Sequence, residues 1–154
     1  MPMTATVVPE AYRNAVVAHI VIDGAAAAID FYAEAFGAEE LFRLGRPDGR
    51  ITHAEVRIQG STLMLGDAEP PVFRAPAPAG GTTVALHVFV DDVDTLTRRA
   101  VTAGAELLQP PTDQFHGDRT AILKDPFGHV WIFLTHLEDL EPAEIARRAA
   151  GLFR

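Results

Sequence analysis

The chain has no cysteine, which excludes a disulfide framework, a thiolate nucleophile and a cysteine-ligated metal. It has no run of about 18 apolar residues, so a transmembrane helix is excluded as well. Basic clusters are also missing. The 13 Lys and Arg residues are scattered, and the adjacent pairs Arg98-Arg99 and Arg147-Arg148 fall on expected helices. With a formal net charge of −8, the chain argues against nucleic acid or a membrane as partner, because phosphate binding needs clustered positive charge. The N-terminus lacks the basic start and apolar core of a signal peptide, and the expectation is a cytoplasmic protein. No Gly-x-Ser-x-Gly elbow and no glycine-rich nucleotide loop occur, so serine-triad chemistry and a nucleotide-type methyl-donor fold have no support.

What is present fits one α+β domain of 154 residues, 48% hydrophobic and 22% charged, long enough to bury a core. Val16–Ile22 has the β-branched density of a strand, and Ala25–Phe36 reads as a helix with Ile29, Tyr32 and Phe36 on one face and Gly37 as its stop. Ala38–Arg43, Arg50–Ile58 and Ser61–Leu65 read as three further strands, joined at Pro47-Asp48-Gly49 and Gln59-Gly60. The second half repeats the first. His19 and His87, Asp23 and Asp91, and Gly60 and Gly128 each lie 68 residues apart, while Gly37 and Gly104 lie 67 apart. An ordered series of that kind predicts a duplicated βαβββ module. The modules are expected over 11–67 and 82–140, with a Pro/Gly/Ala linker over 68–81 and a C-terminal helix over 141–154. Ile145, Ala149 and Leu152 share one face of that helix, which suits a cover for a core edge or a dimer seam.

Alternate strand residues point to opposite faces. Ala54, Val56 and Ile58 form an apolar set suited to packing on helices, which leaves His53, Glu55 and Arg57 on the other face. By the same parity Thr62 and Met64 join them from the next strand, and Val17, His19 and Val21 from the first. Carrying the 68-residue repeat forward adds Ala85, His87 and Phe89, then Arg119, Ala121 and Leu123, then Val130, Ile132 and Leu134. The expected cavity therefore holds His19, His53, Glu55, His87 and Arg119 in an apolar lining, the usual form of a small-molecule site. Gln114 and Phe115 fall on a loop at its mouth, where specificity is commonly supplied. Trp131, of opposite parity to Ile132, is expected in the core.

Six segments carry a family resemblance: Val21-Ile22-Asp23-Gly24-Ala25, Ala28-Ile29-Asp30-Phe31-Tyr32, Ala35-Phe36-Gly37-Ala38-Glu39, His53-Ala54-Glu55, 113–119 (Asp-Gln-Phe-His-Gly-Asp-Arg) and 125–131 (Asp-Pro-Phe-Gly-His-Val-Trp). In these the chain resembles the vicinal oxygen chelate superfamily, and most the PhnB-like branch of glyoxalases, bleomycin-resistance proteins and dioxygenases. The resemblance implies paired βαβββ modules forming a cupped mixed sheet, a homodimer, and a small-molecule ligand. Metal-dependent members place four His, Gln or Glu ligands in the cup. Counted from the shared segments, those positions fall on Val17, Met64, Ala85 and Ile132, none of them a ligand for a hard or borderline divalent ion. No cofactor is therefore expected; the alternative is a divalent metal displaced to His19, His87 and Glu55.

Two functions follow. The first is a metal-free protein that binds an apolar or aromatic small molecule through His19, Met64, His87, Phe89, Gln114, Phe115 and Arg119. The second is a lyase, isomerase or dioxygenase-type enzyme of the same fold. It would use a displaced metal, or His53 and Glu55 as catalytic base and orienter with Arg119 opposite a developing oxyanion.

Overall fold

The computed structural model describes residues 8–153. Residues 1–7, which open the segment read for a leader, and Arg154, which ends the last expected helix, lie outside the described residues. The first module runs through β1 (His19–Ile22), α1 (Ala25–Phe36), β2 (Glu39–Gly45), β3 (Ile51–Ile58) and β4 (Ser61–Asp67). A short helix, α2 (Pro76–Ala79), interrupts the connection. The second module runs through β5 (Ala85–Phe89), α3 (Val93–Ala103), β6 (Glu106–Asp113), β7 (Asp118–Lys124) and β8 (Val130–His136), and α4 (Pro142–Ala150) follows.

Each module closes its own four-stranded sheet, in the orders β1-β4-β3-β2 and β5-β8-β7-β6. The outer strand β1 or β5 pairs parallel with its neighbour and the remaining pairs are antiparallel. The fold is α+β with paired βαβββ modules. Among the described residues the eight strands form two four-stranded mixed sheets, one from each module.

The helices form because local chemistry satisfies their ends. Gly24 enters α1 at φ 95°, a conformation that favours glycine, and no side chain of its own caps the helix. Asp67, at the end of β4, does so from a distance: its Oδ1 accepts the Gly24 and Ala25 N–H groups at 2.9 and 3.1 Å, and its Oδ2 accepts the Ile51 N–H at 2.7 Å. Burial pushes its pKa up, and the three backbone donors more than reverse that, leaving the carboxyl below its usual value. Asp92 caps α3, accepting the Thr95 N–H at 3.1 Å.

One core joins the modules. Ala54, Val56, Leu63 and Leu65 of the first sheet and Ala121, Leu123, Trp131 and Phe133 of the second are buried together with the inward faces of α1 and α3. Phe36 of α1 sits 4.9 Å from the Trp131 ring and 4.8 Å from Phe133. Each large apolar side chain buried there contributes about 1.5–3 kcal/mol relative to exposure. The Tyr32 hydroxyl donates to Asp125 across the modules at 2.6 Å, and Trp131 Nε1 donates to the same oxygen at 2.9 Å.

Three expectations change. The first strand begins at His19, so Val17 lies outside it. No residue of α4 is buried, so that helix covers no core edge in this chain. The third change is parity in β7. Ala54 pairs with Leu65 and Ala121 with Phe133, so β7 is offset from β3 by 67 residues while β8 is offset from β4 by 68. The residue dropped around α3 is regained only between β7 and β8, where Asp125 and His129 close the turn that Ile58 and Ser61 close between β3 and β4. Ala121 and Leu123 consequently face the core, and Thr120 and Ile122 take the open face.

Candidate functional site

The outer face of the first sheet gathers a polar group in an apolar setting. Strand register places Phe42 opposite Glu55, Glu55 opposite Met64, and Met64 beside His19, so these four make one row across the sheet. Leu44 pairs with His53 in the adjacent row. His53 Nε2 lies 3.5 Å from Glu55 Oε1, with the two side chains 31% and 21% exposed. The His19 and His53 rings are 5.6 Å apart, and Phe73, from the connection after β4, lies 6.0 Å from His19. Phe42 lies 6.4 Å from His53. Tyr12, from a 3-10 turn over Glu10–Tyr12, donates its hydroxyl to Glu55 Oε1 at 3.0 Å.

The environment sets protonation. Burial, and then the neighbouring His53, holds the His19 pKa below 6.5, so its ring is neutral at neutral pH. Partial burial and the Glu55 carboxylate push the Tyr12 hydroxyl up, which keeps it a donor. The arrangement can present a carboxylate, oriented by a phenol and flanked by two imidazoles, to a ligand lying on the sheet.

His53, Glu55, His19 and Met64 come together as expected; the other expected residues do not join them. His87 and Phe89 lie on the outer face of the second sheet, where His87 is beside Ile132 and Phe89 beside Leu134. Gln114 and Phe115 belong to the β6–β7 turn of that module. Arg119 is the clearest correction. Its Nε and Nη2 donate to Asp94 of α3 at 2.8 and 3.0 Å, and its Nη1 donates to Asp113 at 2.8 Å. The β7 offset turns this side chain toward α3, away from the open face.

The metal expectations meet the same geometry. Val17, Met64, Ala85 and Ile132 offer one thioether among them, which does not fit the oxygen and nitrogen ligation of the family's divalent ions. His87 sits on the other sheet from His19 and Glu55, and among the described residues no three His, Asp or Glu side chains are grouped to hold a metal.

Tyr12, Phe42 and Phe73 were not legible as site residues. Tyr12 precedes the first strand in a segment without periodicity. Phe42 follows a register shift between Glu40 and Phe42 that breaks the alternation of β2. Phe73 lies in a Pro-rich connection. A cavity of about 530 Å³ lies elsewhere: it is lined by the α2 segment with Asp23, Lys124 and Phe127 and contains none of these residues.

The sequence profile of the glyoxalase/bleomycin resistance protein/dioxygenase superfamily matches residues 14–133, and the chain belongs to that family. It is 47% identical over 117 residues to the uncharacterized protein Rv0887c of Mycobacterium tuberculosis, covering 73% of this chain and 69% of the relative. Among solved structures it is similar to TioX from Micromonospora sp. ML1, with 32% identity and a TM-score of 0.65 over 79% of this chain and 98% of TioX. It shares its fold with the PhnB protein from Bacillus cereus at 18% identity and a TM-score of 0.60, over 78% and 98% of the two chains. No helix among the described residues is long and apolar enough to cross a membrane.

Proposed function

We propose that the protein binds a small molecule with an apolar or aromatic body on the outer face of the first sheet, and that a second copy of the chain completes the cup. The observation that carries this reading is the convergence of Tyr12, His19, His53 and Glu55 on a sheet face that also exposes Phe42, Leu44 and Phe73. Exposed aromatic and aliphatic groups around a few convergent polar atoms suit a ligand site. They also leave apolar surface that monomers rarely present. Phe89, 58% exposed on the second sheet, offers the matching surface, so the outer face of the partner's second sheet is the proposed lid. α4 has no buried residue and is tied by Arg148 to Glu138 and the Phe115 carbonyl of the second module. The site needs no metal in this reading, and the compartment proposed is the cytoplasm.

The His53–Glu55 approach of 3.5 Å favours one second reading, a lyase, isomerase or dioxygenase-type enzyme with Glu55 as base. Arg119, engaged by Asp94 and Asp113, has no part in it. Analytical ultracentrifugation and amide chemical-shift mapping with an aromatic fragment library test the main proposal. A dimer that Phe89→Glu dissociates, with shifts centred on 53–57 and 62–66, is expected. A monomer at all concentrations, or shifts centred on the α2 cavity, would overturn it. Turnover that disappears in Glu55→Gln would replace binding by catalysis.

A further inference from the structure

We infer that the ligand of this site is a cation, a protonated amine attached to an aromatic or apolar body. The inference rests on the binding reading above and adds the ligand's charge. Glu55 uses one oxygen for Tyr12, at 3.0 Å, and the same oxygen is the one 3.5 Å from His53. Among the described residues its Oε2 has no hydrogen-bond partner, so a carboxylate beside the His53 ring keeps one oxygen with unused lone pairs.

Among the described residues no Lys or Arg is placed to take it. Arg57, two residues along β3, directs its Nη1 to Glu39 at 3.5 Å, and the single lysine, Lys124, belongs to the second sheet. His19 is held neutral at neutral pH by burial and by His53. The walls point the same way. Phe42, His53, His19 and Phe73 form a chain of rings along the same face, with neighbouring centroids 5.6 to 6.4 Å apart and His53 next to the carboxylate. Ring faces carry negative partial charge and attract a positive group most when it is desolvated. A carboxylate or phosphate on the ligand would instead meet Glu55 as a like charge. Tyr12 is a positioning residue here: its bond occupies Oε1 and leaves Oε2 for the ligand.

Three probes of one shape separate the cases: naphthylmethylamine, naphthalenemethanol and naphthoate, titrated by calorimetry at neutral pH into the full chain. The amine is expected to bind about tenfold more tightly than the alcohol, the difference one charge-assisted hydrogen bond supplies. Naphthoate is expected to bind weakest. Glu55→Gln should abolish the preference for the amine over the alcohol, whereas Tyr12→Phe should keep the order of the probes with a smaller margin. Equal binding of amine and alcohol by the wild type, or tighter naphthoate, overturns the cation and leaves the pocket standing. No binding by any probe overturns the pocket reading as well. The wild-type comparison decides even where a variant fails to fold.

Discussion

Replacing Tyr32 by Phe removes a single hydroxyl from the place where the two modules meet. Tyr32 is fully buried on α1, and its hydroxyl reaches Asp125 Oδ2 at 2.6 Å. The phenyl ring would keep its packing against Phe36 and Trp131, with centroids 5.7 and 5.3 Å away, so the hydrophobic contribution is unchanged and the hydrogen bond alone is lost. A hydrogen bond to a charged acceptor contributes about 1.5–3 kcal/mol. Asp125 keeps Trp131 Nε1 and the Phe127 and His129 N–H groups, each at 2.9 Å, so the larger cost of an orphaned buried charge does not arise. The expected loss is about 2 kcal/mol, which for a chain of this length lowers Tm by about 4–8 °C. Circular dichroism melts of Tyr32→Phe, Asp125→Asn and the double variant measure it, the double variant costing less than the sum because the two groups share one bond. The pH dependence gives a second readout. Burial, and then Asp125, holds the Tyr32 pKa well above 10.0. Its contribution is therefore complete below the unfolded value and lost as pH rises through the folded one. Tyr32→Phe should remove that alkaline loss. A variant melting with the wild type at neutral pH would refute the assignment of Asp125 as the tie between modules.

Arg119→Ala breaks the pairs with Asp94 and Asp113 and should lower Tm slightly while leaving naphthylmethylamine affinity unchanged; a loss of affinity in calorimetry would return Arg119 to the site. Gly128→Ala puts a Cβ 2.8 Å from the Pro76 Cβ at a residue with φ +94°, and strain of that kind costs about 1–3 kcal/mol. Urea titration reads it as a lower midpoint, and an unchanged midpoint would show that the α2 segment yields freely. His136 has Nδ1 2.7 Å from Asp118 and Nε2 2.7 Å from Asp139, contacts that both donate only in the imidazolium. These bonds raise its pKa above 6.5. The clamp contributes fully below the unfolded value and is lost as pH rises through the raised one. Histidine NMR titration should place His136 above His19, whose pKa is depressed, and Asp139→Asn should bring His136 down. The reverse order would contradict both environments.

The elements of this fold were legible because their chemistry is local. Ala25–Phe36 is bounded by Gly24 and Gly37, whose positive φ angles of 95° and 68° only glycine adopts freely, and the helix takes those bounds. The apolar alternation of Ala54, Val56 and Ile58 likewise gave the correct open face for His53 and Glu55. Contacts between distant segments were not legible. Nothing in the N-terminal segment marks Tyr12 as a partner of Glu55, 43 residues on. Nor does alternation in β2 survive its register shift to show Phe42.

The Arg119 error is more instructive, since the one-residue slip was visible between Gly37 and Gly104 and its persistence was not. A helix absorbs a deletion without changing the sheet, but the strands after it inherit the shift until another turn cancels it. In β7 the counterparts of His53 and Glu55 are therefore Thr120 and Ile122, with Leu134 and Ile132 as their neighbours in β8. That row carries His87 as its titratable group, and the paired Asp118 and His136 end the same strands, where the first sheet gathers His19, His53 and Glu55. Duplication gave the protein two similar frames, but the chemistry is concentrated on one of them. The second sheet, apolar along β8 and exposing Phe89, is by the same reasoning better suited to cover a ligand than to recognise its charge. In the proposed dimer the two faces of such a cup come from different modules, one from each copy, because the chain keeps its own two as separate sheets.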